Sequence, residues 1–258
     1  MGANREPPCH LSLRGQNFKL NLHRDFSFMS GLPDLGNQFF FPRFSSLPLD
    51  AGFITFYDDS DDDFIEFDKS KPRFRNRSYR KHWCTFAEII QDNQWPVRPV
   101  YKVKDLSGRQ YLVSFYFDDQ SLFPDVMKKC KVGSTLCIMY AERHEFMDGN
   151  EGVKISQPDA VKVLPVNLKD LMAAGHVFRA RIKNVPSSTT PALCSNCNKP
   201  AEQRCSACTL SVYCSKECQS QDWAKKHKKE CVVFKQLKLW DVFDWHKYDV
   251  RRGMTDFV

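Results

Sequence analysis

The chain has 258 residues, 42% of them hydrophobic and 27% charged, with a mean hydropathy of −0.50. That composition can fill a packed core in one or two domains and excludes a wholly disordered chain. No run approaches the roughly 20 apolar residues a membrane-spanning helix needs, and the 38 bases and 31 acids leave a formal charge of +7. Met1 to Pro8 have no apolar stretch of the secretory kind. Glu6 also stands where an N-myristoylation motif places Ser or Thr. The expectation is an intracellular protein of the nucleus or cytoplasm, without a membrane partner.

Residues 1–79 read as an irregular, partly disordered N-terminal arm, with clusters such as Phe39-Phe40-Phe41-Pro42. Within it, 58–68 carries seven acids and 69–81 seven bases with no acid. Opposed runs that cancel are expected to form a solvated connector, although the basic run could also serve as a nuclear address. The acidic run lacks the glycine and distant Glu of a calcium loop.

From 80 to 180 the pattern turns to strands. Trp83–Ile90 is one. Val100–Lys104 and Tyr111–Phe117 flank the turn residues Asp105-Leu106-Ser107-Gly108 and form a hairpin. Leu122–Cys130 suits a short helix, and Thr135–Tyr140 a buried strand. Val153–Ile155 and Val161–Leu164 follow, and Leu168–Ala174 suits a helical turn. Four or five short strands with a helix between the third and fourth predict a small closed β-barrel. This order resembles the OB-fold of the single-strand-binding barrels of the replication protein A type. Residues 181–193, polar and bracketed by Pro186 and Pro191, read as a linker. Residues 232–258 read as an amphipathic helix and an aromatic tail.

Seven of the eleven cysteines fall between 194 and 231. A reducing compartment does not keep them as disulfides, and their spacing is that of chelating pairs: Cys194-x2-Cys197, Cys205-x2-Cys208, Cys214-x3-Cys218 and His227-x3-Cys231. A two-residue gap lets a tight turn aim both sulfurs at one ion. A three-residue gap puts both donors on one face of a helical turn. Eight ligands make two tetrahedral sites, and zinc accepts this mixture of thiolate and imidazole. The expected cofactor is therefore two Zn²⁺ ions. A segment this short cannot build a sufficient core alone, so metal binding supplies much of its folding free energy. Spacing does not distinguish sequential from interleaved pairing. Cys9, Cys84, Cys130 and Cys137 lack partners at ligand spacing and read as ordinary thiols.

The order of all eight ligands, with Tyr213, Gln219, Asp222, Trp223 and His227-Lys228 between them, resembles the MYND-type zinc finger. The resemblance implies an interleaved pairing. Cys194, Cys197, Cys214 and Cys218 would hold one ion, and Cys205, Cys208, His227 and Cys231 the other. It also implies a shallow groove for short proline-containing peptides near Gln219 and Trp223, although Trp223 is equally suited to the finger core. The fold class is thus α+β, an OB-like barrel followed by a two-zinc finger with short helices.

Once loaded, the finger is neutral: its seven bases, four acids, seven thiolates and two divalent ions cancel. Residues 80–168 carry twelve bases against eleven acids. Neither balance suits sequence-blind binding of nucleic acid, and Tyr101, Tyr111 and Tyr116 read as core more readily than as stacking platforms. MYND methyltransferases embed the finger in a SET domain, but only 27 residues follow Cys231 here. No phosphate-binding, dinucleotide, nucleophile-elbow or zinc-protease string is present, and His82, His144 and His176 are isolated. The expectation is a protein with no catalytic residues, an adaptor that docks peptide motifs of partner proteins. The alternative is a single-stranded nucleic-acid or nucleoprotein factor acting through the barrel.

Overall fold

A computed structural model describes residues 31–50, 65–67, 77–79, 81–93, 98–183 and 192–246. The charged runs of the arm and the residues of the linker between 184 and 191 lie outside these, apart from two short paired strands, β1 (Ile65–Phe67) and β2 (Arg77–Tyr79). The barrel comprises β3 (Cys84–Asp92), β4 (Val100–Lys104), β5 (Gln110–Phe115), α1 (Phe123–Lys129), β6 (Thr135–Met139), β7 (Arg143–Glu145), β8 (Glu151–Ile155) and β9 (Val161–Leu164).

The sheet order is β7-β8-β5-β4-β3-β6-β9. All neighbours are antiparallel except β5 and β8. β7 resumes the path of β6 after three residues, and the bend between them falls at Tyr140, whose φ is +52°. The two sides of the sheet therefore run into one stretch of chain, and the barrel closes. Antiparallel β3-β4-β5, a helix, then β6 back beside β3 and β8 parallel to β5 is the OB arrangement, to which β9 adds an edge strand beside β6. β7 was not anticipated from the sequence, because Arg143-His144-Glu145 carries no apolar alternation.

The β4–β5 turn is held where the sequence placed it. Gly108 takes φ +85°, open to glycine at little cost. The buried Asp105 carboxylate accepts from Ser107 N (2.8 Å), Ser107 Oγ (2.5 Å), Arg109 N (3.1 Å) and, from the arm, Phe44 N (3.0 Å). The arm is stitched to the barrel elsewhere too. Cys84 N donates to Phe40 O, Arg143 N to Pro48 O, and Asp50 N to Arg143 O.

β5 and β8 approach closely at Gly152. A Cβ there would collide with the Leu112 carbonyl and lie 2.6 Å from the Phe146 ring. Gly152→Ala must separate the parallel pair or expel Phe146. The expected loss is about 1–3 kcal/mol, typical of overpacking, readable as a lowered midpoint in chemical denaturation. An unchanged midpoint would contradict the close approach.

Both faces of β3 and β6 are covered. Trp83, Ala87, Ile89, Leu136 and Ile138 fill the barrel with Tyr101, Val103, Tyr111, Val113 and Phe115. Cys84, Phe86, Cys137 and Met139 point the other way, into a second core. This double burial explains the unbroken apolar run of β6. The second core is roofed by α2 (Leu168–Lys183) through Leu171, Ala174 and Phe178. The helix is more than twice as long as the helical turn expected at Leu168–Ala174. Arm residues Leu32, Leu35, Phe40 and Phe41 and tail residues Phe243 and Trp245 join the same core.

Candidate metal centre

The C-terminal region is built from β10 (Gln203–Arg204), β11 (Val212–Tyr213), α3 (Lys216–Asp222), a five-residue π-helical turn (Trp223–His227) and α4 (Lys228–Trp240). Two knuckles present the first four cysteines and repeat one geometry. Asn198 N donates to Cys194 O (2.9 Å) and Thr209 N to Cys205 O (2.8 Å). The residue closing each knuckle is left-handed, with φ +59° at Asn198 and +61° at Thr209. Asn tolerates this conformation, whereas branched Thr resists it. Thr209 is held by its neighbours. Arg204 donates to its carbonyl (3.1 Å) and Lys238 to its hydroxyl (2.7 Å). The β10–β11 hairpin carries the chain to Cys214, and Ser215 caps α3 by accepting from Cys218 N (3.3 Å).

The side chains gather in two groups, Cys194 with Cys197, Cys214 and Cys218, and Cys205 with Cys208, His227 and Cys231. Within each, every donor atom lies within 4.8 Å of the others. This is the interleaved arrangement. The helix that opens at Lys216 does not run on unbroken to Cys231. The π turn that interrupts it widens the helix, as single π turns do at functional sites. It separates Cys218, which faces the first group, from His227 and Cys231, which face the second.

The donor sets fit zinc. Sulfur separations are 3.5 Å for Cys197–Cys214, 3.5 Å for Cys214–Cys218, 3.7 Å for Cys218–Cys197 and 3.9 Å for Cys205–Cys231. Tetrahedral Zn–S bonds of about 2.3 Å give edges of about 3.8 Å. Disulfides need sulfurs about 2 Å apart, and all ten described cysteines are free. His227 Nε2 is 3.7 Å from Cys208 Sγ, and its Nδ1 is 3.1 Å from Ser211 Oγ. The nitrogen facing the thiols is thereby left as the donor to an ion.

Electrostatics point the same way. Burial pushes the Cys194 thiol up, but the backbone N–H groups of Cys214, Asn196 and Cys197 bring it down to about 6. Burial likewise raises Cys208, and His227 with the N–H groups of Ser211 and Leu210 brings it to about 6. The Cys197 and Cys218 side chains push Cys214 up to about 12, and burial with the Cys208 and Cys205 charges pushes Cys231 to about 12. Each group concentrates negative charge that its own members resist. A divalent cation at the centre removes that conflict.

The second group is fully buried, and it is also tied to the barrel's roof. Arg181 of α2 donates to Ser211 Oγ (2.5 Å), the hydroxyl that contacts the ligand imidazole, and Lys229 bonds Asp170 of α2 at 2.7 Å. Ser211 and Arg181 carry no ligand spacing and were not singled out from the sequence. Tyr213 and Asp222, both buried, hydrogen-bond at 2.8 Å and lock the hairpin to α3. Gln219 is half-buried. Trp223 lies one turn further on, 41% exposed, with its ring edge-on to that of His227 at 5.8 Å.

Other candidate residues lie apart. Cys130 is buried in the barrel, Cys84 and Cys137 are buried in the second core, and Cys9 lies outside the described residues. His82 Nδ1 pairs with Tyr140 Oη (2.6 Å), His144 Nδ1 with Asp50 Oδ2 (2.7 Å), and His176 is exposed on α2. Tyr101 and Tyr111 are buried in the barrel, out of reach of any stacked base. Tyr116 is half-buried with the Arg98 guanidinium 3.8 Å from its ring centre. No helix among the described residues is long and apolar enough to cross a membrane.

Residues 194–231 match the family model of the MYND finger. Among curated proteins, an F-box protein of Arabidopsis thaliana is 30% identical over 118 residues, which cover 43% of this chain and 31% of that protein. The chain thus spans about a third of that relative. Among solved structures, the S. pombe Stn1–Ten1 complex gives a TM-score of 0.28 at 16% identity, covering 42% of this chain and 77% of that one. Schizosaccharomyces pombe Pot1pC bound to single-stranded DNA gives 0.28 at 9% identity, covering 41% and 92%. Scores of that size add nothing to the barrel assignment, which rests on strand pairing alone.

Proposed function

We propose that this chain, carrying a MYND finger at 194–231, is an intracellular, zinc-dependent protein-interaction adaptor with no catalysis of its own. Four protein donors around each ion leave no position for water or substrate, the arrangement of a structural site. The ions serve to fix a surface. The observation that carries the reading is Trp223. Tryptophan is enriched at the hot spots of protein interfaces, and this one stands near Gln219, on the face where the resembled fingers seat proline-containing peptides. The π turn that begins at Trp223 and the imidazole behind it hold the indole in place.

Screening an array of proline-containing peptides against the full chain tests the reading. Trp223→Ala is expected to weaken the captured peptides by about 30-fold or more, the loss of an interface hot spot worth ~2 kcal/mol. Gln219→Ala should act in the same direction. Zinc content should stay at two ions per chain in both variants. Equal binding by wild type and variants would defeat the groove assignment. The barrel alternative, single-stranded nucleic acid, is less well supported. Two of its three candidate stacking tyrosines are interior, and the third already carries an arginine over its ring.

A further inference from the structure

We infer that a second docking surface, built from other residues than Gln219 and Trp223, runs from the α1–β6 turn across β9 to the outer side of α4, and that it takes an acidic peptide segment with aliphatic side chains. Its deepest part is a cleft of about 390 Å³ lined by Lys128, Lys129, Lys131, Val132, Val163 and Pro165 among others. Among its lining residues none is acidic. The half-buried Lys162 of β9 adds to the charge. Burial lowers its pKa, and the charges of Lys129 and of Lys235 on α4 lower it further, so cations of three elements crowd one place. The barrel is close to neutral overall, so this concentration is local and not a share of a general basicity.

The apolar component distinguishes the occupant. Val132 is 65% exposed at the cleft. From Lys235, α4 carries Leu239 one turn on at i+4, 48% exposed, and Val242 follows in the turn just beyond the helix, 68% exposed. Aliphatic groups between lysines match a peptide in which acids alternate with Leu, Ile or Val. A nucleic acid offers no aliphatic side chains to fill such places, only the single methyl of a thymine. The cleft also lacks the aromatics on which bases stack and the arginines that grip phosphate in a fork.

The test is fluorescence anisotropy on the full, zinc-loaded chain, with a short fluorescein-labelled peptide alternating Glu and Leu and an oligothymidylate of equal length as the rival probe. The wild type should bind the peptide more tightly than the oligonucleotide. Lys129→Glu with Lys131→Glu should weaken peptide binding at least tenfold, and the milder Lys129→Gln with Lys131→Gln should weaken it to a smaller degree. Leu239→Ser should weaken it about threefold, and Trp223→Ala should leave it unchanged. All these side chains are exposed, and thermal unfolding checks that each variant remains folded. Three results overturn the proposal: no peptide binding, binding indifferent to the lysine and Leu239 variants, or loss on Trp223→Ala, which would assign the peptide to the finger. Tighter binding of the oligonucleotide, insensitive to Leu239→Ser, overturns it in favour of a phosphate-binding face.

Discussion

Replacing Cys205 with Ser is expected to halve the zinc content and to lower the thermal midpoint of the whole chain by about 10 °C or more. Cys205 is 2% exposed, its sulfur lies 3.9 Å from that of Cys231, and it sits in the same apolar cluster as Phe86 of the barrel and Phe178 of α2. Structural zinc contributes ~10–16 kcal/mol of apparent binding energy in isolated fingers, large beside the ~5–15 kcal/mol that keeps a domain folded. A hydroxyl is a poor replacement for thiolate at zinc, so a loss of several kcal/mol follows, and each costs about 2–4 °C in a chain of this size. Cys197→Ser should be milder. Cys197 is exposed, belongs to the first group and lies outside that cluster. Metal analysis and a thermal melt decide the matter; two retained ions, or equal effects of the two substitutions, would refute the ranking.

Trp240→Ala should cost about 3–5 kcal/mol, the range for deleting a large aromatic from a core, and should destabilise the barrel and the finger together. The indole is fully buried. It stacks parallel to Phe86 of β3 at 6.3 Å and meets Trp245 edge-on at 6.4 Å, and it lies on the helix that supplies Cys231. Denaturant titration followed by tryptophan fluorescence and by zinc release to a chromogenic chelator should give coincident curves in wild type and variant, both shifted in the variant. Two separated transitions in the wild type would mean that the barrel and finger unfold independently despite their common core.

The readable parts of this sequence were those where a local rule suffices. The eight ligands follow from gaps of two and three residues, because chelation by neighbours is a local constraint. The β4–β5 turn follows from Asp105 and Gly108, whose preferences are set by their own backbone. Less readable were features decided at a distance. β7 forms because Arg143 pairs with both β8 and the arm residue Leu49, and nothing in Arg143-His144-Glu145 announces either. Thr209 adopts a left-handed conformation that its side chain disfavours, and the contacts that hold it come from Arg204 and Lys238. The length of α2 was obscured by Gly175 in its middle, a poor helix former whose place is set at a distance, where Leu35 of the arm packs against it.

The continuation of α4 past its last ligand bears on how the protein can be dissected. A truncation that follows the donor string and stops at Cys231 keeps every metal ligand yet discards Phe234, Leu237 and Trp240, all fully buried. Begun at the first ligand, it also lacks α2, so Ser211 loses Arg181 and Lys229 loses Asp170. Such a fragment could still chelate zinc, but its helix would end where its burial begins, and it would offer raw apolar surface to solvent and to other copies. The smallest self-sufficient unit by these contacts begins before the barrel and ends beyond Trp245, so binding measured on an excised finger would report on a different object.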